Sequence, residues 1–180
     1  HYDSPSQPEK VRRGLFDSWR RTARLLTKFV EPPPGPDPDS LVLSAADCPS
    51  TRRGAVVYRP IQRGMLCDRG KIIHTFPVTT GRVVPLPGEF TISSRNTVVR
   101  STEGGHVSIL KNFVAFTKGS PRIAFHSVPT LRDGSLVQPL SSVGERERWG
   151  TSAGCIRVLP DDSKRIWQFL RNGDKVRLIG

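Results

Sequence analysis

Cys155 is the residue whose type and surroundings most directly indicate a chemical reaction. It lies in the segment Ser-Ala-Gly-Cys-Ile-Arg at residues 152–157, and His126 ends an apolar run upstream of it. A thiol with an imidazole to take its proton is what nucleophilic acyl transfer by cysteine requires, and a nearby imidazolium lowers the thiol pKa. Cys155 is therefore a candidate nucleophile and His126 a candidate general base and acid. The alternatives are a buried structural cysteine and a hydrogen-bonded core histidine.

Three segments in the same order resemble the motifs of the YkuD-type L,D-transpeptidases, bacterial enzymes that cross-link peptidoglycan. The first is the segment around Cys155 with His126 upstream. The second is Pro-Val-Thr-Thr-Gly at residues 77–81, which resembles a family strand ending in Ser/Thr-Thr-Gly. The third is Pro-Gly-Glu-Phe-Thr-Ile at residues 87–92, which resembles a Thr-Pro-x-Gly-x-Phe segment. The resemblance extends over residues 52–180.

The chain departs from the family pattern at three points. Ala153 stands where the family commonly has His, and Leu86 stands where it has Thr. The stretch from His126 to Ser152 is also longer than the usual motif. We expect the first two to alter substrate contacts and the third to enlarge a loop over the site, either as a lid or as a passive surface loop.

The resemblance implies a ping-pong acyl transfer without a cofactor. Cys155 attacks a carbonyl of a peptidoglycan stem peptide, a D-amino acid leaves, and the amine of a second stem resolves the thioester. With water as acceptor the same site is an L,D-carboxypeptidase. A catalytically silent wall-binding module is a further alternative, whereas a papain-like protease would place its Cys before its His. An extracytoplasmic location is also implied, for a secreted or tethered enzyme.

Five further positions are candidates for the site. Gly154, together with Cys155, is expected to supply backbone N–H donors to an oxyanion, and Ser152 is expected to orient the loop. Ser127, Arg157 and Trp149 are candidate substrate-binding residues. An arginine holds a carboxylate bidentately, so Arg157 either binds substrate or forms a local salt bridge. Trp149 either stacks on substrate or anchors its loop, and both serines are alternatively loop caps.

The composition is that of a strongly basic globular protein. In 180 residues there are 28 Lys and Arg against 16 Asp and Glu, a net charge of +12. The basic residues are scattered, and the sequence has neither an RNA-binding aromatic motif nor metal-ligand spacing, so we expect no nucleic acid partner and no metal. Besides the stem peptides, anionic wall polymers or a membrane surface are candidate partners. Alternatively the charge serves only solubility.

The three cysteines divide into a pair and a single thiol. Cys48 precedes Pro49, and Cys67 ends a predicted strand. We predict a Cys48–Cys67 disulfide, which is typical of an oxidising compartment, and which leaves Cys155 as the reactive thiol. The alternative is two unrelated reduced thiols.

Residues 1–40 are predicted to form a basic amphipathic helix and a Pro-rich linker, and residues 41–180 the catalytic domain. Apolar residues recur at helical spacing over Val11–Val30, with Arg and Lys between them. Such a helix lies on a membrane surface or packs on its own domain. The sequence has no apolar run of transmembrane length and no visible signal peptide. Because it starts at His1, we interpret it as processed or truncated.

The second part of the chain is predicted to be mainly β. The expected strands are Gly54–Arg59, Gln62–Cys67, Lys71–Val78, Phe90–Ser94, Val98–Arg100, Val107–Phe116, Arg122–His126 and Lys175–Ile179. One C-terminal helix is expected to begin at Pro160 and to end by Asn172-Gly173. This order fits the mixed β-sandwich of the L,D-transpeptidase type that the resemblance implies, with an N-terminal amphipathic helix in addition.

Overall fold

The computed structural model describes residues 37–82, 84–102, 105–119 and 121–180. The predicted helix Val11–Val30 lies outside the described residues, as does most of the linker, so the division at residue 40 stays a prediction. Within the described ranges, no helix is long and apolar enough to cross a membrane.

The described residues form ten strands and one α-helix. The strands are β1 Arg53–Tyr58, β2 Arg63–Asp68, β3 Lys71–Pro77, β4 Gly88–Thr91, β5 Ser94–Ser101, β6 Ser108–Ala115, β7 Ala124–Ser127, β8 Thr130–Leu131, β9 Ile156–Val158 and β10 Lys175–Ile179. The helix α1 spans Pro160–Phe169. The strands form two sheets, ordered β3-β2-β1-β10-β4 and β5-β6-β7-β9, with β8 paired to β6. The pairs β1–β10 and β7–β9 are parallel, and the other strand pairs are antiparallel.

The main hydrophobic core is shared by the two sheets and the helix. Alternate residues of the strands point into it, as the period of two in a β-strand requires. Val57 and Val176 come from the first sheet, Phe125 and Ile156 from the second, and Ile166 from the helix, and each is at most 1% exposed. The mixed β-sandwich with a C-terminal helix is therefore confirmed.

Helix α1 begins at Pro160, as the sequence predicts. Pro160 occupies the first turn, where a missing N–H costs nothing, and Asp162 in that turn also accepts a hydrogen bond from His74 Nε2 on β3 at 2.7 Å. The helix ends at Phe169, three residues before the predicted Asn172-Gly173, which instead lie in the turn before β10.

The predicted strand Phe90–Ser94 is wrong because the chain changes sheets within it. Strand β4 ends at Thr91 in the first sheet, and β5 begins at Ser94 in the second. Between them, Ile92 N–H donates to Asp174 O beside the first sheet, and Ser93 N–H donates to Ala115 O of the second. The predicted Val98–Arg100 is the middle of β5.

The predicted Cys48–Cys67 disulfide is present. It attaches residues 41–48 to the outer side of the first sheet, where Leu41 and Leu43 pack on a second apolar cluster that includes Tyr58. The Tyr58 hydroxyl donates to the Asp47 carboxylate and accepts the Ser44 N–H. Burial raises the pKa of Tyr58 to about 12, and the Asp47 carboxylate adds to this. The disulfide and this hydrogen bond therefore hold the same segment.

Candidate active site

Strands β7 and β9 bring the two principal candidates together. The strands pair in parallel, with Phe125 opposite Ile156 and His126 opposite Arg157. Phe125 and Ile156 point into the main core. Because side chains alternate along a strand, His126 and Arg157 point to the other face. Cys155 directly precedes β9, and it packs with the apolar cluster on that same outer face.

The His126 ring is fixed in one tautomer by its surroundings. It is 2% exposed, stacks on Phe113 with centroids 6.1 Å apart, and has Nδ1 2.7 Å from Ser127 O. A carbonyl can only accept, so Nδ1 carries the proton and Nε2 is the proton acceptor of the neutral ring. The group that orients the base is a main-chain carbonyl.

The pKa of His126 is lowered to about 4, mainly because burial disfavours the imidazolium. The positive charge of Arg157 lowers this pKa further, whereas the hydrogen bond to Ser127 opposes the shift. The imidazole is therefore neutral at pH 7. This differs from the sequence-based expectation of an imidazolium beside the thiol and favours a base that accepts the thiol proton during attack.

Cys155 is the cysteine outside the disulfide, and it is half-buried. Its Sγ lies 3.7 Å from Arg122 O, and its side chain packs near Leu110, Phe113 and Ala124. Apolar packing on one side and partial exposure on the other suit a thiol that must meet a substrate carbonyl.

Ser152 closes the turn that carries the nucleophile. It is buried, and its Oγ donates to Cys155 O at 2.6 Å. The same Oγ accepts a long bond from Gly154 N–H at 3.4 Å. Ser152 therefore holds the turn through hydrogen bonds to both Cys155 and Gly154, and the Gly154 N–H has only a long hydrogen bond.

The Pro77–Gly81 segment supports the nucleophile turn at very short range. A Cβ on Gly81 would lie 2.9 Å from both N and Cα of Gly154 and from Ser152 O. Gly154 itself has φ of +153°, and a Cβ there would lie 2.7 Å from Ile123 Cδ1. Gly81 therefore permits a close backbone approach that any side chain would prevent, which explains the glycine of the Thr-Thr-Gly motif, whereas Gly154 is favoured by its positive φ.

Gln138 connects Arg157 to this same segment. It is 2% exposed, and its Oε1 accepts from Arg157 Nη1 at 3.2 Å. Its Nε2 donates to Thr79 Oγ1 at 2.8 Å and to Ser142 Oγ at 3.1 Å. Thr79 and Arg157 also exchange backbone hydrogen bonds of 2.9 Å. Sequence reasoning missed Gln138 because a single Gln in a polar stretch carries no signal.

The long segment from 127 to 151 is held against the second motif and is not a detached loop. Gly144 N–H donates to Val78 O, and Gly150 N–H donates to Thr80 O. The segment contains strand β8 and two 3-10 helices, Leu140–Ser142 and Arg146–Arg148. It therefore forms one wall of the site.

The other two candidate substrate-binding residues, Ser127 and Trp149, lie beside the site. Ser127 is buried and contacts His126 through its carbonyl. The Arg82 guanidinium lies 4.7 Å from the centroid of the Trp149 ring. The Trp149 Nε1 group has no hydrogen-bond partner among the described residues. Neither Ser127 nor Trp149 is among the described residues that line the cavity beside Cys155.

Two cavities meet at Cys155. The first, of 390 Å³, is bordered by Cys155, His126, Ser152 and Arg157. Its wall also includes Arg148, Gln138, Ala153 and His106, of which Arg148 and Gln138 had no predicted role. The second, of 420 Å³, is bordered by Cys155, Phe113, Arg100 and Arg122. A thiol at this junction is accessible from two directions.

Comparison with solved structures places the fold among L,D-transpeptidases. An enzyme from Mycobacterium smegmatis is 19% identical with a TM-score of 0.57, over 72% of this chain and 59% of that one. One from Stackebrandtia nassauensis is 24% identical with a TM-score of 0.55, over 75% and 60%. L,D-transpeptidase 3 from Mycobacterium tuberculosis, solved with a faropenem-derived adduct, is 17% identical with a TM-score of 0.55, over 72% and 60%.

The chain thus spans about three fifths of the length of these solved structures. A comparison with curated proteins gave no match. Residues 52–178 match the family YkuD, the L,D-transpeptidase catalytic domain, which agrees with the three motifs and with the structural neighbours. The chain therefore belongs to the YkuD family of L,D-transpeptidase catalytic domains.

Proposed function

We propose that the protein is an L,D-transpeptidase that forms a thioester between Cys155 and a peptidoglycan stem peptide. The observation that carries the proposal is the position of Cys155 at the junction of two cavities, on the same sheet face as a neutral, tautomer-fixed His126. Both features support a ping-pong transfer, because two substrates reach one nucleophile in turn and a neutral imidazole can accept a proton in each half-reaction.

In the first half-reaction, His126 Nε2 accepts the thiol proton while Sγ attacks the carbonyl of the donor stem. The backbone N–H groups of Cys155 and Gly154 stabilise the oxyanion. The C–N bond then breaks, the leaving D-amino acid takes the proton from His126, and the thioester remains.

In the second half-reaction, an amine of the acceptor stem attacks the thioester. His126 accepts a proton from this amine as the new amide bond forms, and the C–S bond breaks. The proton on His126 then returns to the thiolate, so the enzyme regains its starting state. If water attacks instead of the amine, the same steps give an L,D-carboxypeptidase.

The remaining candidate residues have supporting roles in this proposal. Arg157 contacts the substrate in the first cavity, and Ser152 holds the nucleophile turn. Ser127 acts through its carbonyl, while Trp149 and Arg82 stabilise the wall of the site. An extracytoplasmic location fits the Cys48–Cys67 disulfide. The basic residues before residue 41 would then face anionic wall polymers or a membrane surface.

The proposal is tested by intact mass spectrometry with a tetrapeptide stem as donor. The expected result is a thioester adduct on Cys155 that an acceptor stem converts to a cross-linked product, and that a Cys155→Ala variant does not form. Hydrolysis of the adduct despite acceptor would favour the carboxypeptidase, and absence of any adduct would favour a silent wall-binding module. A penem such as faropenem should also add once to Cys155.

A further inference from the structure

Two arginines line the first cavity together with Cys155. Arg157 borders it from β9, and Arg148 borders it from the 127–151 segment. The two residues come from different elements, yet both line the cavity that contains Cys155 and His126. Two arginines in the lining of one cavity favour a negatively charged ligand, and the planar donor group of a guanidinium matches a carboxylate.

The Arg157 guanidinium is positioned by buried contacts and not left to sample many rotamers. Gln138 Oε1 accepts from Arg157 Nη1, and the Gln138 amide is itself fixed by Thr79 Oγ1 and Ser142 Oγ. The Gln138 side chain is 2% exposed and is hydrogen-bonded through both Oε1 and Nε2. Because the network already holds these side chains, little further conformational entropy is lost when a ligand binds. The influence of Arg157 on the pKa of His126 places its charge near the base.

Arg148 is the more accessible of the two. Its side chain is 38% exposed, and its Nε lies 3.5 Å from Glu145 Oε2. This ion pair is made through Nε, so it does not use the two Nη groups, which are further hydrogen-bond donors. Its neighbour Arg146 provides a contrast, because it pairs with Asp39 at 2.8 Å and does not line the cavity.

From these contacts we infer that the first cavity is a carboxylate subsite, in which Arg157 and Arg148 bind the anion and Gln138 acts as the positioning residue for Arg157. The inference rests on the proposed function for its natural ligand, which is a carboxylate of a stem peptide. It goes beyond that function in assigning Gln138 and Arg148, and in predicting that the site distinguishes an acid from its amide.

The first test uses Cys155 as a reporter of the charge around it and needs no turnover. The full chain is alkylated at pH 7 with iodoacetate or with iodoacetamide, and the two second-order rate constants are measured by intact mass. In both reactions the thiolate attacks the CH₂ group and iodide leaves, so the thiolate fraction cancels in their ratio. Because Cys48 and Cys67 are joined, the reaction reports Cys155, and the urea-unfolded oxidised chain gives the reference ratio.

We expect the iodoacetate-to-iodoacetamide ratio of the folded chain to exceed that reference by about threefold to tenfold at low salt, the range for one charge about 3–6 Å away at the dielectric constant of bulk water. The excess should fall in R157Q and in R148Q, remain in R146Q, and shrink at high salt. An unchanged ratio in both R157Q and R148Q would overturn the subsite. Because the Arg148 side chain is 38% exposed and makes only a long ion pair, R148Q gives a result even if R157Q fails to fold.

The positioning role of Gln138 has its own readout. Gln138→Met keeps the volume but removes the bonds to Arg157, Thr79 and Ser142, so the ratio should fall although both arginines remain. A ratio equal to that of the parent chain would overturn this role. An effect on stability alone, without a change of ratio, would mean that Gln138 acts only in packing.

A second test distinguishes the sources of the carboxylate. Donor and acceptor stems are compared as free acids and as carboxamides in the cross-linking assay. Amidation of the stem that occupies the first cavity should raise its KM in the parent chain and much less in R157Q. If neither amidation changes KM, stem carboxylates are not the ligand. A preparation that shows the alkylation preference but no cross-linking would refute the transpeptidase proposal and retain the anion site.

Discussion

The burial of His126 should make the protein less stable in mild acid by an amount that can be calculated. Its pKa falls from 6.5 to about 4 in the folded state, so between these values the unfolded chain binds the proton and the folded chain does not. The contribution of His126 to the free energy of unfolding is therefore fully present above pH 6.5 and is lost as the pH falls toward 4. For a pKa shift of this size, the free energy of unfolding at pH 4 is lower by about 3 kcal/mol than at neutral pH.

The assay is urea unfolding of the parent chain and of His126→Gln at intervals between pH 4 and pH 7.5. Other ionisable groups contribute equally to both, so the difference between the two free energies of unfolding isolates His126. Gln retains an amide donor for Ser127 O but does not titrate. The difference should shrink by about 3 kcal/mol from pH 7.5 to pH 4. A pH-independent difference would refute the argument that burial keeps this imidazole neutral.

Four other predictions concern the nucleophile, the turn, the disulfide and the N-terminal part. Cys155→Ser should abolish turnover while leaving the unfolding midpoint nearly unchanged, since a serine hydroxyl is far less ionised; turnover at the parent rate would exclude the thiol mechanism. Gly81→Ala should displace the nucleophile turn and lower stability by about 1–3 kcal/mol, with loss of thioester formation measured by mass; full activity would contradict the close approach. Replacing Cys48 and Cys67 together by Ala should cost about 3 kcal/mol in urea unfolding, and an unchanged midpoint would make the disulfide dispensable. Deleting residues 1–38 should leave a folded, active domain whose binding to anionic vesicles falls, most of all at low salt; unfolding of the truncated chain would mean that the removed part packs on its domain.

The sequence predicted those features that depend on local pattern. Alternating apolar residues gave most strands, and β10 was predicted with its observed ends. Cys155 and His126 were identifiable because a thiol and an imidazole within ordered motifs indicate acyl transfer more specifically than they indicate packing. The Cys48–Cys67 pairing followed from counting three cysteines, one of which belongs to the motif.

What the sequence could not supply were the contacts between distant segments. Strand β9 is three residues long, too short for any periodicity, although it aligns His126 with Arg157. The change of sheet at Ile92 and Ser93 depends on partners far away in the chain. The role of Gln138 depends on three such contacts, and that of Gly81 on the backbone of the turn it touches.

The main-chain carbonyl that orients His126 has a consequence for how this site tolerates sequence change. A carboxylate side chain in that position could be deleted by one substitution. The carbonyl of residue 127 is present whatever amino acid stands there, so drift at this position alters the orientation of the base only if it moves the end of β7. The orientation of His126, the proposed base, is in this respect encoded by the path of the strand and not by the identity of a side chain, and it can persist in sequences that diverge widely at this position.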